Sequence, residues 1–534
     1  MAHYDAIVIG SGLGGLTCGA TLARNGRKVL VLEQHNLIGG CSTCFPRKGM
    51  LVDAGLHELD FGDPRVDQKH RIFDYIGLWE KVKFVKLPTA WTVKEGDKDY
   101  VIPHGNTIEA LKEMFPHESE GIDKYFKKIR LQARKAYKFP FDMGFFEFFL
   151  APFTTIPFLA YNYFVNRTTG QVLDECIKDS RLKRILDINI VYYHHDPYKF
   201  IWSYHAIPQN NYYIQGMYVN GGSQALADGI ASVITDNGGE LKARADVTDI
   251  LLEGNKAIGV KYLDKKSKEE VVVYADKIIA NCDPATVYHK LLPQDRDYSK
   301  DLNLTKDLEI TTSLISIYMV FDKKPNDLHP DMDYSTFIVS PENFNRDFKD
   351  SDCFNTSYEE IDFVFVNYSR VDSGLSDRDD RHLGVITTFG KYEDWENLDK
   401  EEYKAKKERV QKILEDRLER AFPGIMEHCI HSELATPKTI ERYIRTRKGT
   451  PYGYDQNKES FFGRERWMSH SVKNLYFASA FCAPGGGFTG AIMSGYRTGR
   501  KILDPYALPR KFALSILFGT GVSLGIMALC GMFS

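Results

Sequence analysis

Charge of one sign is missing from this sequence: 69 Lys and Arg stand against 72 Asp and Glu in 534 residues, a formal net charge of −3. A protein that wraps nucleic acid needs a basic face, so that class of partner is set aside. Cysteine is sparse, nine residues scattered along the chain. An odd, scattered set does not make the disulfide framework of a small secreted domain, and a reduced, intracellular setting is expected. A secretory leader is not expected, because Met1 to Asp5 run directly into Ala6-Ile7-Val8-Ile9, too short an apolar stretch for a signal core. Tryptophan is scarce, with 5 residues against 33 Phe and 30 Tyr. What remains is a chain 43% hydrophobic and 13% aromatic, enough for a large core and for two or three domains. The aromatic content points to a broad apolar surface or an apolar substrate.

The carboxy-terminal end is unlike the rest. Residues 512–533 carry no charge and follow Arg510-Lys511. That length suits a transmembrane anchor, and the flanking cations would keep the catalytic portion on the cytoplasmic side. Gly519, Gly521, Gly525 and Gly531 weaken such a span, and a buried terminal helix is the alternative.

Chemistry begins at the amino terminus. Tyr4–Ile9 reads as a buried parallel strand, and Gly10-Ser11-Gly12-Leu13-Gly14-Gly15 follows it as a G-x-G-x-x-G. Leu16–Arg24 has helical composition, and Arg27–Leu32 is a second strand ending at Glu33. In such a unit Gly10 permits the turn, Gly12 admits a pyrophosphate, and Gly15 lets the helix close on the strand with its amide end toward the phosphates. Glu33 stands where an acid accepts from ribose hydroxyls. No second unit of this kind follows, so a separate nicotinamide domain is not expected.

Further along come Gly39-Gly40-Cys41-Ser42 and Asp53-Ala54-Gly55-Leu56-His57. With Leu32-Glu33-Gln34-His35, these residues resemble the flavin-dependent amine oxidase and phytoene desaturase superfamily, and more narrowly its retinol saturase and carotenoid isomerase branch. The resemblance implies FAD as cofactor. It implies an α/β fold: a discontinuous Rossmann-type FAD-binding domain, glutathione reductase-like, with an inserted α+β substrate domain and a carboxy-terminal apolar helix. The cofactor contacts it implies are Gly10, Gly12, Leu13, Gly14, Gly15, Glu33, Gln34, Gly39, Gly40, Cys41, Ser42, Gly55 and His57. The expected division is 1–70, 215–290 and 435–505 for FAD, 71–214 and 291–434 for a substrate and membrane-facing domain, and 512–533 for the anchor.

Cys41-x-x-Cys44 has a redox spacing. Disulfide reductases that carry a flavin use a longer spacing and a second nucleotide domain, so a redox dithiol is the lesser reading. Tyr218–Ser223 leads into an apparent helix, and strands at 240–242, 246–250 and 257–261 read as a meander. In the family, the backbone at Val247 meets the adenine. Ser479-Ala480, then Gly485-Gly486-Gly487-Phe488-Thr489, resemble the family's carboxy-terminal flavin motif. Relatives often have Gly-Asp where this chain has Ser479-Ala480. A helix beginning there aims its amides at an electron-rich acceptor, such as the pyrimidine edge of the flavin.

The inserted segments carry less. Lys124–Lys138 contains seven cations and no acid among them, and runs into the Phe-rich stretch 139–164, a combination suited to an anionic bilayer surface or a lipid-tunnel mouth. Tyr192-Tyr193-His194-His195-Asp196 looks like a metal cluster, but adjacent residues of a strand face opposite ways, and no metal is expected. Tyr452 is expected to line the substrate cavity. His57 and Glu58 are candidate proton donors.

The expectation is therefore a membrane-associated, FAD-dependent oxidoreductase that reduces or isomerises a C–C double bond of an apolar polyene, a retinoid or carotenoid, with an unknown electron donor or acceptor. Its rivals are a carotenoid desaturase, an amine oxidase-like flavoenzyme and a non-catalytic lipid-escort protein on the same fold.

Overall fold

The structure, a computed structural model, describes residues 3–135, 142–154, 156–165, 167–352, 356–467 and 471–515. Strand β1 (His3–Ile9) is buried at Tyr4 and throughout its apolar run Ala6–Ile9, as suits a strand covered on both faces. It pairs in parallel with β2 (Val29–Leu32) on one side and with Glu270–Ala280 on the other. Leu475–Phe477 adds a further parallel strand beside Ile278–Ala280. Helix α1 (Leu13–Ala23) connects β1 to β2 and is buried along its whole length. It is enclosed because the closing helix Gly487–Leu503 lies directly against it, Gly495 beside Gly14 and Gly499 beside Thr21.

The meander is real, with shifted membership. Its strands are Ala245–Glu253, Lys256–Asp264 and Glu270–Ala280, all antiparallel neighbours. Glu240–Lys242, read from the sequence as part of the meander, instead pairs in parallel with β2 at the sheet edge. Gly238-Gly239 closes helix Gly222–Asp236 and returns the chain to the sheet there, so the Gly pair marks a helix end and not a hairpin.

A second seven-stranded sheet runs in the order Cys429–Ala435, Ser313–Phe321, His382–Gly390, Phe363–Asn367, Ser335–Val339, Trp91–Glu95 and Lys98–Ile102. Alternation divides its faces. Ile315, Ile317, Met319 and Phe321 pack with Val410, Leu414 and Leu418 of the helix Lys400–Ala421. Tyr318 and Val320 join the main core on the other side, which Tyr334 and Tyr368 also enter. Leu59–Phe61, Gln215–Val219 and Phe84–Lys86 form a small sheet nearby.

No helix among the described residues is long and apolar enough to cross a membrane. Residues 516–533 of the expected anchor lie outside the described residues. Residues 192–196 are not a strand: a 3-10 helix ends at Tyr192 and a turn follows. The rings of His194 and His195 therefore stack, at 4.7 Å. Each is tied to its own carboxylate, His194 to Asp455 at 3.1 Å and His195 to Asp352 at 2.9 Å.

Candidate active site

One end of the site is built from backbone. The β1–α1 turn needs Gly10, at φ +92°, where a Cβ would meet the Asn281 carbonyl at 2.8 Å. Gly14 leaves still less room, since a Cβ there would stand 2.5 Å from the Ala478 carbonyl oxygen. Helix α1 starts at Gly12 with no side chain capping its first amides, so Leu13, Gly14 and Gly15 begin an uncapped, positively polarised helix end. Gly39 N donates to Ser11 Oγ at 3.1 Å, and Gly40 abuts Gly12. Cys41 continues this segment, and Ser42 Oγ donates to the Ser223 carbonyl at 2.7 Å.

Glu33 closes β2 with a buried carboxylate. Ser11 donates to its Oε2 from the backbone N at 2.8 Å and from Oγ at 2.7 Å, and His35 N donates to Oε1 at 2.8 Å. Ala245 N donates to the Glu33 carbonyl, which brings the strand of Val247 alongside. Gln34 faces outward to Lys265 and Tyr443. A glycine cradle, an uncapped helix end and a buried acid at the end of β2 match what an adenine dinucleotide requires.

The other end is a cavity walled by side chains. It brings together Gly55, His57, Glu58, Tyr452, Gly487, Phe488 and Thr489, all singled out in the sequence. The closing helix starts there at Gly487, with Gly486 as its N-cap and again no side-chain cap. Tyr452 lies against this turn, its ring 3.7 Å from where a Gly487 Cβ would be. Ser479 stays at the turn, its Oγ accepting from Phe481 N at 3.3 Å, and Ala480 lies beneath Gly453.

The two candidate acids differ. His57 Nε2 lies 3.1 Å from Thr387 Oγ1 and its ring stacks on Tyr192 at 5.6 Å. Desolvation lowers its pKa to about 4, so it is an uncharged imidazole at neutral pH. Glu58 moves the opposite way. Burial raises its pKa well above the usual carboxylate value, and the charges of Asp333 and Asp60 add to the shift. Its Oε2 is buried without a hydrogen-bond partner. Glu58 is thus a neutral carboxylic acid with an uncommitted oxygen.

Cys41 and Cys44 are free thiols, and burial pushes Cys41 up to about 11 and Cys44 higher. Thiolate is the reactive form, so burial works against a redox dithiol at this pair.

A model of the flavin-containing amine oxidoreductases matches residues 13–503. The chain belongs to that family. It is an enzyme and its cofactor is FAD, which the glycine cradle, Glu33 and the two uncapped helix ends fit. Similar proteins include the chloroplastic prolycopene isomerase of Daucus carota, 27% identical over 95% of this chain and 81% of that one. All-trans-retinol 13,14-reductase of Danio rerio is 28% identical over 92% and 85%. The neurosporene-forming phytoene desaturase of Rhodobacter capsulatus is 25% identical over 93% and 94%. Among solved structures, cyclohexylamine oxidase from Brevibacterium oxydans shares the fold, with a TM-score of 0.61 and 15% identity over 94% of this chain and 99% of that one.

Sequence reasoning missed several parts of this flavoprotein's site. Asn281 donates from Nδ2 to the Gly10 carbonyl at 3.2 Å; its place directly after a buried strand is a signal that could have exposed it. Arg464 is fully buried and donates to the carbonyls of Tyr454, Asp455 and Pro484, which holds the Tyr452 segment against the turn that precedes Gly487. Tyr204 fixes the same turn by donating to the Gly486 carbonyl at 2.8 Å. Asp60, Lys69 and Asn211 also line the cavity, and no motif marks them.

Proposed function

We propose that this flavoenzyme reduces or isomerises a C–C double bond of an apolar polyene, a retinoid or carotenoid. The observation that carries the reading is Glu58: a protonated acid with a free oxygen, in the cavity that the flavin helix opens into. The names of the similar prolycopene isomerase, retinol reductase and phytoene desaturase support the substrate class. Bound FAD supplies hydride transfer to or from carbon, which no side chain can perform.

The chain's own residues do the rest. Tyr192, Tyr204, Tyr212, Tyr452, Phe461 and Phe488 wall the cavity and bind an apolar chain by shape. Glu58 delivers the proton that saturation needs beside the hydride, and in isomerisation it lends and recovers that proton. His57 is uncharged and acts as a wall, braced by Thr387 and Tyr368. Residues 1–70, 215–290 and 435–505 hold the cofactor, and the two inserted segments complete the substrate side.

The same reading seats the protein on a bilayer, with the catalytic portion on the cytoplasmic side. Phe146, Leu150, Phe153 and Ile156 of the helices Phe145–Thr154 and Ile156–Val165 are exposed, Phe153 by 76%. Phe512 and Leu514 are exposed as well. Arg500 on the closing helix binds Asp142 at 2.8 Å, just ahead of these helices. Phe153→Asp is expected to lower co-sedimentation with anionic vesicles; unchanged sedimentation would remove this face from the account.

The function is tested by anaerobic incubation of the chemically reduced holoenzyme with all-trans-retinol and with lycopene. A product heavier by two hydrogens identifies a saturase, and unchanged mass at a new retention time identifies an isomerase. Recovery of both polyenes untouched would overturn the proposal.

A further inference from the structure

The cavity has a buried cation that the reading above does not use. Lys69 is only 1% exposed and lines the wall. Its Nζ donates to Asp60 Oδ2 at 3.0 Å and to Asp67 Oδ1 at 3.1 Å. Burial works against the ammonium, yet the two carboxylates hold its pKa above the usual lysine value, so it is charged at any physiological pH.

Neither carboxylate depends on Lys69 alone. Asp60 also accepts from Thr489 Oγ1 at 2.8 Å and Asn211 Nδ2 at 2.9 Å. Asp67 accepts from Gly62 N and Lys69 N, both at 2.9 Å, and caps the helix Gln68–Ile76. A buried ion triad is weak glue, and apolar packing of the same volume is commonly as stable. The triad sits on the wall of a cavity lined largely by aromatic and aliphatic side chains, a place where a ligand meets it. An ammonium has three donors, and the carboxylates take two. One cation against two carboxylates leaves the spot with a net charge of −1.

Those properties suit one kind of ligand end. A neutral hydroxyl accepts from the Lys69 ammonium and donates to the Asp60 carboxylate. A carboxylate end meets the net negative charge, and a hydrocarbon end makes no hydrogen bond. Resting on the polyene reading, we propose that Lys69 and Asp60 are specificity-determining residues that select a substrate ending in a neutral hydroxyl.

The test uses the full chain with FAD bound and three probes of one skeleton: all-trans-retinol, all-trans-retinoic acid, and the deoxy hydrocarbon lacking the hydroxyl. Binding is read from the perturbation of the flavin absorbance, with no turnover required. The alcohol is expected to bind about tenfold or more tighter than either other probe, the worth of one hydrogen bond to a charged group. In the variant Lys69→Met/Asp67→Asn, which removes one charge of each sign and keeps the net charge at −1, the lead of the alcohol over the hydrocarbon falls toward parity while its lead over the acid persists. Asp67→Asn alone keeps the ammonium, cancels the net charge, and raises affinity for retinoic acid. Equal binding of alcohol and hydrocarbon by the wild-type protein overturns the proposal and leaves the polyene reading standing. An undiminished preference for the alcohol over the hydrocarbon in the double variant also overturns it. If no probe perturbs the flavin, the polyene reading fails and this proposal with it.

Discussion

At the nucleotide end the selective atoms are backbone amides and bare α-carbons, gathered between Gly10 and Gly40. At the cavity end they are side chains drawn from separated stretches: 55–69, 192–212, 452–461 and 484–493. The first kind of surface has little tolerance for an added methyl group, because at Gly10, Gly14, Gly15 and Gly39 the nearest atom is main chain and cannot move aside. The second tolerates changes of shape, but it depends on where charge and protons are kept. On the proposed reading, this division holds the cofactor by geometry and directs the reaction by the protonation of a few enclosed groups.

The largest way to break the comparison is Gly14→Ala. Its Cβ would stand 2.5 Å from the Ala478 carbonyl oxygen. The variant is expected to purify without flavin or to be insoluble, read from the ratio of flavin to protein absorbance; a normal ratio would show that the cradle is not rigid. Glu58→Gln works at the opposite end. It should keep flavin content and melting temperature while turnover drops by roughly 10²–10⁴, the usual worth of a general acid. A near-normal rate would remove Glu58 as proton donor.

How legible each end was follows from the same contrast. Glycines, a strand and an acid at fixed spacing carry their meaning locally, so Gly10 to Glu33 and the Gly39-Gly40 pair could be read directly. The turn at Gly487 was legible for the same reason, although the helix begins there and not at Ala491. Glu240–Lys242 was misplaced because a short strand does not declare its partner. Lys69 and Asp60 meet across the turn between Leu59–Phe61 and Gln68–Ile76, and Asn211 and Thr489 reach them from distant segments. No periodicity or spacing marks residues that converge only through tertiary packing. His57 and Glu58 were visible as adjacent candidates, and their opposite protonation was not, because it arises from desolvation and from Asp333 and Asp60.

Acid sharpens the comparison further. His57 has a pKa of about 4 in the fold against an ordinary value of 6.5. The unfolded chain therefore takes up that proton first, and the stability His57 contributes at neutral pH is lost as pH falls from 6.5 through about 4. Thermal melts over that range should fall less steeply for His57→Gln than for the wild-type protein; parallel slopes would mean that His57 is solvated. A smaller effect is expected for Thr489→Val, which removes the hydrogen bond to Asp60 and should cost about 1 kcal/mol in denaturant unfolding. No loss would mean that Asp60 is held by Lys69 and Asn211 alone.

The most direct test of the account is the isotope content of the product. The reduced holoenzyme is incubated with all-trans-retinol in deuterated water without oxygen, beside the Glu58→Gln variant, and the recovered polyene is weighed by mass spectrometry. With the enzyme equilibrated in deuterated water beforehand, the wild-type product is expected to carry solvent deuterium at carbon and the variant to return its substrate nearly unchanged. A converted product with no deuterium at carbon, or full conversion by the variant, would contradict a proton delivered by Glu58.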